Sequence, residues 1–175
     1  MIYLPYVILN ILFDLWAMCT QWLVVLAADK DGNLPSFLRW YETWDHPSLD
    51  LSDAWNLEKY PSLYTSGLPK WLKTYMFRVL WLYRNTGYGF AYYILGYDVN
   101  FNTWVWKTGA PKGTTWIFTY DKSKSILTRG WCLRYEHQWF GSKWQCKVYL
   151  GWKVGPGESR RQMLAMNISP VVKFG

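Results

Sequence analysis

With 175 residues, 19 Lys and Arg against 12 Asp and Glu, and a formal net charge of +7, the chain has room for one packed domain plus an apolar segment. Aromatic residues make up 21% of it, including 14 Trp and 14 Tyr, a bias that suits bilayer interfaces, binding clefts and oligomer contacts, where one end of a ring is wet and the other apolar. No Cys or His spacing matches a zinc site, and no P-loop, dinucleotide, G-x-S-x-G or RNP-type pattern occurs, so the enzyme and RNA-binding classes those motifs mark are excluded and no cofactor is expected.

From Met1 to Ala28 the chain is apolar with one charge, Asp14, and about 20 helical residues suffice to cross the hydrocarbon of a bilayer. A secretory signal fits poorly, because no Lys or Arg stands near the start and Asp14 interrupts the apolar run. The expectation is an uncleaved membrane anchor; its alternative is a buried helix in a soluble core. Asn10, Asp14 and Gln21 fall at i, i+4 and i+11 on one side of such a helix, and an ionisable group at membrane depth turns toward protein. The expected partner is a second copy of the chain, or the basic helix further on, with Arg78 or Arg84 opposite Asp14.

Charge then divides the chain. Residues 29 to 59 carry a net charge of −4 and residues 60 to 175 a net charge of +12. A basic body tethered to a bilayer is drawn to the anionic cytoplasmic leaflet by about 1 kcal/mol per Lys or Arg near the surface, which predicts a cytoplasmic body at the inner membrane. Leu34 to Tyr64, rich in Pro, Ser and Asp, is expected to form loop with short helical turns. Within it Asp45, His46, Asp50 and Asp53 gather three carboxylates and an imidazole. Such a set could supply oxygens to Ca²⁺ or Mg²⁺ or perform general acid or base chemistry. Equally, Asp and Ser before apolar turns are ordinary helix caps and Asx turns, and loss of Asp45 or Asp50 would then cost about 0.5–2 kcal/mol.

Trp71 to Tyr83 is predicted to be helical, since it lacks Gly and Pro and places Leu72, Met76, Val79, Leu80 and Tyr83 at helical spacing. Trp71, Lys73, Arg78, Trp81 and Arg84 mix aromatic rings with long cations, as in a helix lying among lipid headgroups. An amphipathic helix on a soluble core is the alternative. Asn85 to Gly87 ends the helix.

After Gly96 the period changes to two. Strands are expected at Phe101 to Trp106, Thr114 to Tyr120, Ile126 to Tyr135, Trp144 to Val154 and Arg161 to Lys173, joined as an antiparallel meander with Gly155-Pro156-Gly157-Glu158 as a break. The fold class is therefore α+β, and the chain divides into an apolar helix (1–28), an acidic connector (29–69), a basic aromatic helix with a Gly-rich break (70–97) and a β domain (98–175). Cys132 and Cys146, symmetric about Trp139, would face each other across a hairpin, as a disulfide in an oxidising compartment or a thiol pair in a reduced one; Cys19 lies in the apolar segment. Lysines interleaved with Trp could bind single-stranded nucleic acid, but core-filling rings with solubilising lysines on the outer face account for the same pattern, so nucleic acid is not an expected partner.

Three blocks carry a resemblance: Trp40-Tyr41-Glu42-Thr43-Trp44-Asp45-His46-Pro47 with Leu49-Asp50, then Trp81-Leu82-Tyr83-Arg84-Asn85-Thr86-Gly87-Tyr88-Gly89-Phe90, then Gly151-Trp152-Lys153-Val154. Together they resemble a family of small uncharacterised proteins of tailed bacteriophages, departing from its pattern at His46, where Asn is usual, and at Thr86, where Pro is usual. The resemblance implies phage origin and a host-takeover, exclusion, lysis-related or virion role, and supplies no catalytic residue. Three function classes are expected: a membrane-anchored interaction protein engaging lipid, a host membrane protein or its own copies; a virion component; and a metal-dependent enzyme using the acidic loop.

Overall fold

A computed structural model describes residues 2–100, 102–111, 114–124, 129–138, 144–153 and 161–172. The expected turn at Trp139, the Gly155 to Glu158 break and residues 126–128 of one expected strand lie outside these residues. The chain is α+β, with helices throughout the first half and an antiparallel sheet in the second. It forms two compact units, one of Ile11–Ile94 and one of Met1–Asn10 with Leu95–Gly175.

Helix α1, Tyr3–Val24, begins in the second of these units, continues in the first and passes into a 3₁₀ turn at Val25–Ala27. In Ile11–Ile94 there follow a 3₁₀ turn at Ser36–Tyr41, the short helices α2 (Asp53–Lys59) and α3 (Pro61–Tyr64), helix α4 (Lys70–Arg84) and a π turn at Phe90–Ile94. Ser52 caps α2, its hydroxyl accepting from the Trp55 amide at 3.2 Å, so the acidic connector does contain the helical turns its composition suggests. The core of this unit joins Ala17, Val24 and Val25 of the α1 segment to Leu34, Tyr41, Leu49 and Leu82, with Tyr75 and Val79 of α4 packed against it. The buried stripe of α4 thus runs through residues 75, 79 and 82. It is rotated from the one the sequence suggested, and Met76 and Tyr83 are exposed.

The other unit is a six-stranded sheet of β1 (Tyr97–Asp98), β2 (Trp104–Gly109), β3 (Thr114–Asp121), β4 (Trp131–Gln138), β5 (Trp144–Lys153) and β6 (Arg161–Val172) in the order β1-β6-β5-β4-β3-β2, with every pairing antiparallel. β2 to β6 are the expected meander. The two edge strands, β1 and β2, are neighbours in sequence. Laid flat, six strands would put them about 24 Å apart, whereas the chain from Asp98 to Trp104 reaches about 20 Å when fully extended. The sheet must curl, and it does: the Tyr97 hydroxyl donates to the Asp121 carboxylate at 2.7 Å, joining one edge strand to the strand beside the other edge.

Asp121 is buried, and burial alone would raise its carboxyl. Hydrogen bonds from Thr103, Tyr97 and Ser123 outweigh that and hold it well below the usual carboxylate range. Burial, and then the Asp121 charge, push the Tyr97 hydroxyl up to about 12. Trp152, fully enclosed, donates its indole N–H to the Leu95 carbonyl at 2.9 Å, and the rings of Tyr3 and Tyr6 pack edge-on against it.

The two thiols of the sheet do not meet. Cys132 stands opposite Gly151 and Cys146 opposite His137, five register positions apart, in the register in which β4 and β5 pair.

Candidate functional site: an apolar helix face and its polar stripe

Helix α1 has two faces of opposite character. Leu4, Ile8, Leu12, Leu15, Trp16, Leu23 and Leu26 are exposed, a run that continues from the first turn into the 3₁₀ turn, about 33 Å at 1.5 Å per residue. Only 22% of its most apolar stretch is buried, so most of that stretch is left uncovered by the described residues. The opposite face carries Asn10, Asp14, Ala17 and Gln21.

That polar stripe turns inward, as expected of polar groups on an otherwise apolar helix, but its neighbours are not the expected ones. Gln21 is 1% exposed and its side-chain oxygen accepts from the Thr86 hydroxyl at 3.4 Å. Asp14 lies against Gly87, whose φ of +76° suits glycine and where any Cβ would collide with the carboxylate. Arg78 is elsewhere: its Nε and Nη2 donate to the Asp50 carboxylate at 2.7 and 2.6 Å. Arg84 lies over the Trp55 ring, 5.7 Å from its centroid. The expected pairing of Asp14 with Arg78 or Arg84 is therefore not made. Of the stripe expected to self-associate, Asp14 and Gln21 are met by Gly87 and Thr86 of their own chain.

The basic helix is likewise more internal than expected. Trp81 packs edge-on with His46 and Trp55, and Lys73 Nζ donates to the carbonyls of Tyr64 and Ser66 at 3.1 and 3.4 Å. Of the predicted contact residues on α4, Trp71 at 71% exposure and Arg84 face outward.

The acidic loop does not converge on a metal. Asp45 is exposed, the His46 ring nitrogen Nδ1 is 2.7 Å from the Ser48 carbonyl, Asp50 holds Arg78, and Asp53 sits in the first turn of α2. Among the described residues no group of three His, Cys, Asp or Glu side chains could hold an ion.

The three sequence blocks acquire a physical meaning. The first two pack on each other: Trp44 stacks on Tyr92 just beyond the second block, Trp40 meets Phe90 edge-on, and Gly89 lies so close to the carbonyls of Arg39, Trp40 and Glu42 that a Cβ there would come within 2.6–2.7 Å of their oxygens. The third block supplies the enclosed Trp152. Sequence reasoning missed that Gly87 and Gly89 are contact points, although two glycines with one residue between them, directly after a helix, are the usual signal of close approach.

The chain is thus an α+β protein with one long apolar helix face and, among the described residues, no convergent set of metal-binding side chains. It belongs to a family of unknown function, DUF7338, whose model matches residues 1–174. No curated protein and no solved structure matches it.

Proposed function

We propose that this is a membrane-attached interaction protein, encoded by a tailed phage and acting at the host inner membrane, and that it is held there by the exposed face of α1. The observation that carries the reading is the uncovered apolar run from Leu4 to Leu26, about as long as the ~30 Å hydrocarbon core of a bilayer is thick. Such a run, in a chain of net charge +7, favours an anionic membrane surface. The protein packed along the opposite side of the helix favours one that lies in the bilayer interface over one that crosses alone. The resemblance of the three blocks to tailed-phage proteins supports the origin. Leu12→Glu with Trp16→Glu should release the full chain from inner membrane into the soluble fraction; recovery of the unmodified chain in that fraction without detergent would overturn the reading. Co-purification of that soluble chain with virions would favour a virion component instead, with the same face covered by neighbouring subunits.

A further inference from the structure

Two hollows meet along α4, both within Ile11–Ile94. One, of about 640 Å³, is polar: Lys30, Lys70, Lys73 and Arg78 line it against Asp50 and Asp53. The other, of about 700 Å³, has apolar walls of Val25, Leu26, Ala28, Trp71 and Tyr75. Both volumes lie within the ~300–1,000 Å³ of small-molecule sites. Lys70, Thr74 and Arg78 border both, and at i, i+4 and i+8 they form one ridge of the helix between a wet chamber and a greasy one.

The polar chamber has positive charge in excess. Arg78 is neutralised by Asp50. Among the described residues Lys30 and Lys70 have no carboxylate within ion-pair distance. Asn56, 6% exposed, also lines the chamber. Its Nδ2 donates to the Leu51 carbonyl at 3.4 Å, which fixes the amide's orientation because a carbonyl can only accept. Its Oδ1 has no accessible surface and is closed to a ligand in the chamber. The chamber therefore offers cations for an anion, beside an apolar groove flanked by the exposed Trp71 and Leu26.

We infer that these hollows bind one anionic phospholipid, represented by phosphatidylglycerol, its phosphate at Lys30 and Lys70 and the start of an acyl chain along Trp71. The inference rests on the membrane reading above and names its lipid. A free glycerol phosphate has the same polar chemistry but leaves the groove unused.

The test is calorimetric titration of the purified full chain in non-ionic detergent with dihexanoyl-phosphatidylglycerol, dihexanoyl-phosphatidylcholine and glycerol 3-phosphate. Phosphatidylglycerol should bind once per chain and at least tenfold tighter than either of the others. Lys30→Gln and Lys70→Gln, both at exposed positions, should each weaken it about fivefold and leave phosphatidylcholine unchanged. Trp71→Ala should weaken both lipids and leave glycerol 3-phosphate unchanged. Equal affinity for the two lipids, indifference to both Lys variants, or glycerol 3-phosphate bound as tightly as the lipid would each overturn the site. A chain that is soluble without detergent yet keeps its phosphatidylglycerol preference would overturn membrane attachment and uphold the site. One that sediments with phosphatidylcholine vesicles and shows no headgroup preference would do the reverse.

Discussion

Asp50→Ala should cost about 2–3 kcal/mol, more than a lost helix cap. Arg78 donates twice to Asp50, at 2.7 and 2.6 Å, and twice more, to the Asp29 carbonyl through Nη1 at 3.2 Å and to the Lys30 carbonyl through Nη2 at 3.5 Å. Its side chain is 11% exposed and that of Asp50 is 38% exposed. Breaking a fully buried pair costs about 3–5 kcal/mol and a fully exposed one about 0–1 kcal/mol, and a pair with one sheltered member falls between. Asp45 is exposed, and among the described residues its side chain makes no hydrogen bond, so Asp45→Ala should stay within about 0.5 kcal/mol. The sequence treated the two as equivalent caps; the structure separates them. Urea denaturation in detergent, followed by Trp fluorescence, measures both. A double-mutant cycle of Asp50→Ala with Arg78→Leu should give a coupling of about 1–2 kcal/mol. Coupling below about 0.5 kcal/mol, with Asp50→Ala no worse than Asp45→Ala, would refute the assignment.

Gly87→Ala should cost about 2–4 kcal/mol by the same assay, from a left-handed backbone and a methyl group driven into the Asp14 carboxylate, and pairing it with Asp14→Ala should recover part of the loss. Tyr97→Phe should cost about 1.5–3 kcal/mol, because it removes a hydrogen bond to a charged, buried carboxylate. The Asp121 carboxyl is held below its unfolded value, so its contribution is present above about pH 4 and declines below that as the unfolded chain takes up the proton first; that of Tyr97 is present below about pH 10 and lost as pH rises through about 12. Denaturation midpoints measured from pH 3 to pH 7 should therefore fall less steeply toward acid in Tyr97→Phe than in the unmodified chain.

Elements governed by periodicity were legible. The apolar run is one helix, Trp71 to Tyr83 lies inside α4, and the period of two after Gly96 is the meander, because each pattern reports a repeating local geometry. Long-range pairing was not legible. The partner of Arg78 is Asp50, 28 residues earlier, and nothing in either residue's neighbourhood marks it. The hairpin register failed for a related reason: two cysteines placed symmetrically about a Trp do not set the pairing of the strands, and the register that forms leaves them five positions apart. Inward and outward faces of α1 were half legible. Asn10, Asp14 and Gln21 mark the inward side, but that Gly87 and Thr86 would receive Asp14 and Gln21 depends on a Gly-rich segment whose backbone no side-chain pattern records.

The unit built on the sheet is discontinuous, and this bears on the order in which the molecule can assemble. Tyr3 and Tyr6 rest on Trp152, and among the described residues β1 pairs with β6 alone, so segments of this unit depend on others synthesised well after them. Residues 11 to 94 are all made before β2 begins, and that unit can fold while the strands are still emerging. The sheet, by contrast, cannot curl shut until β6 is released, and until then β1 lacks the strand it pairs with. Loss of β6 would leave β1 without its pairing strand and the Tyr3 hydroxyl without the Ala165 carbonyl it donates to at 2.7 Å, while the residues of the core around Leu49 and Leu82 all lie outside the lost segment.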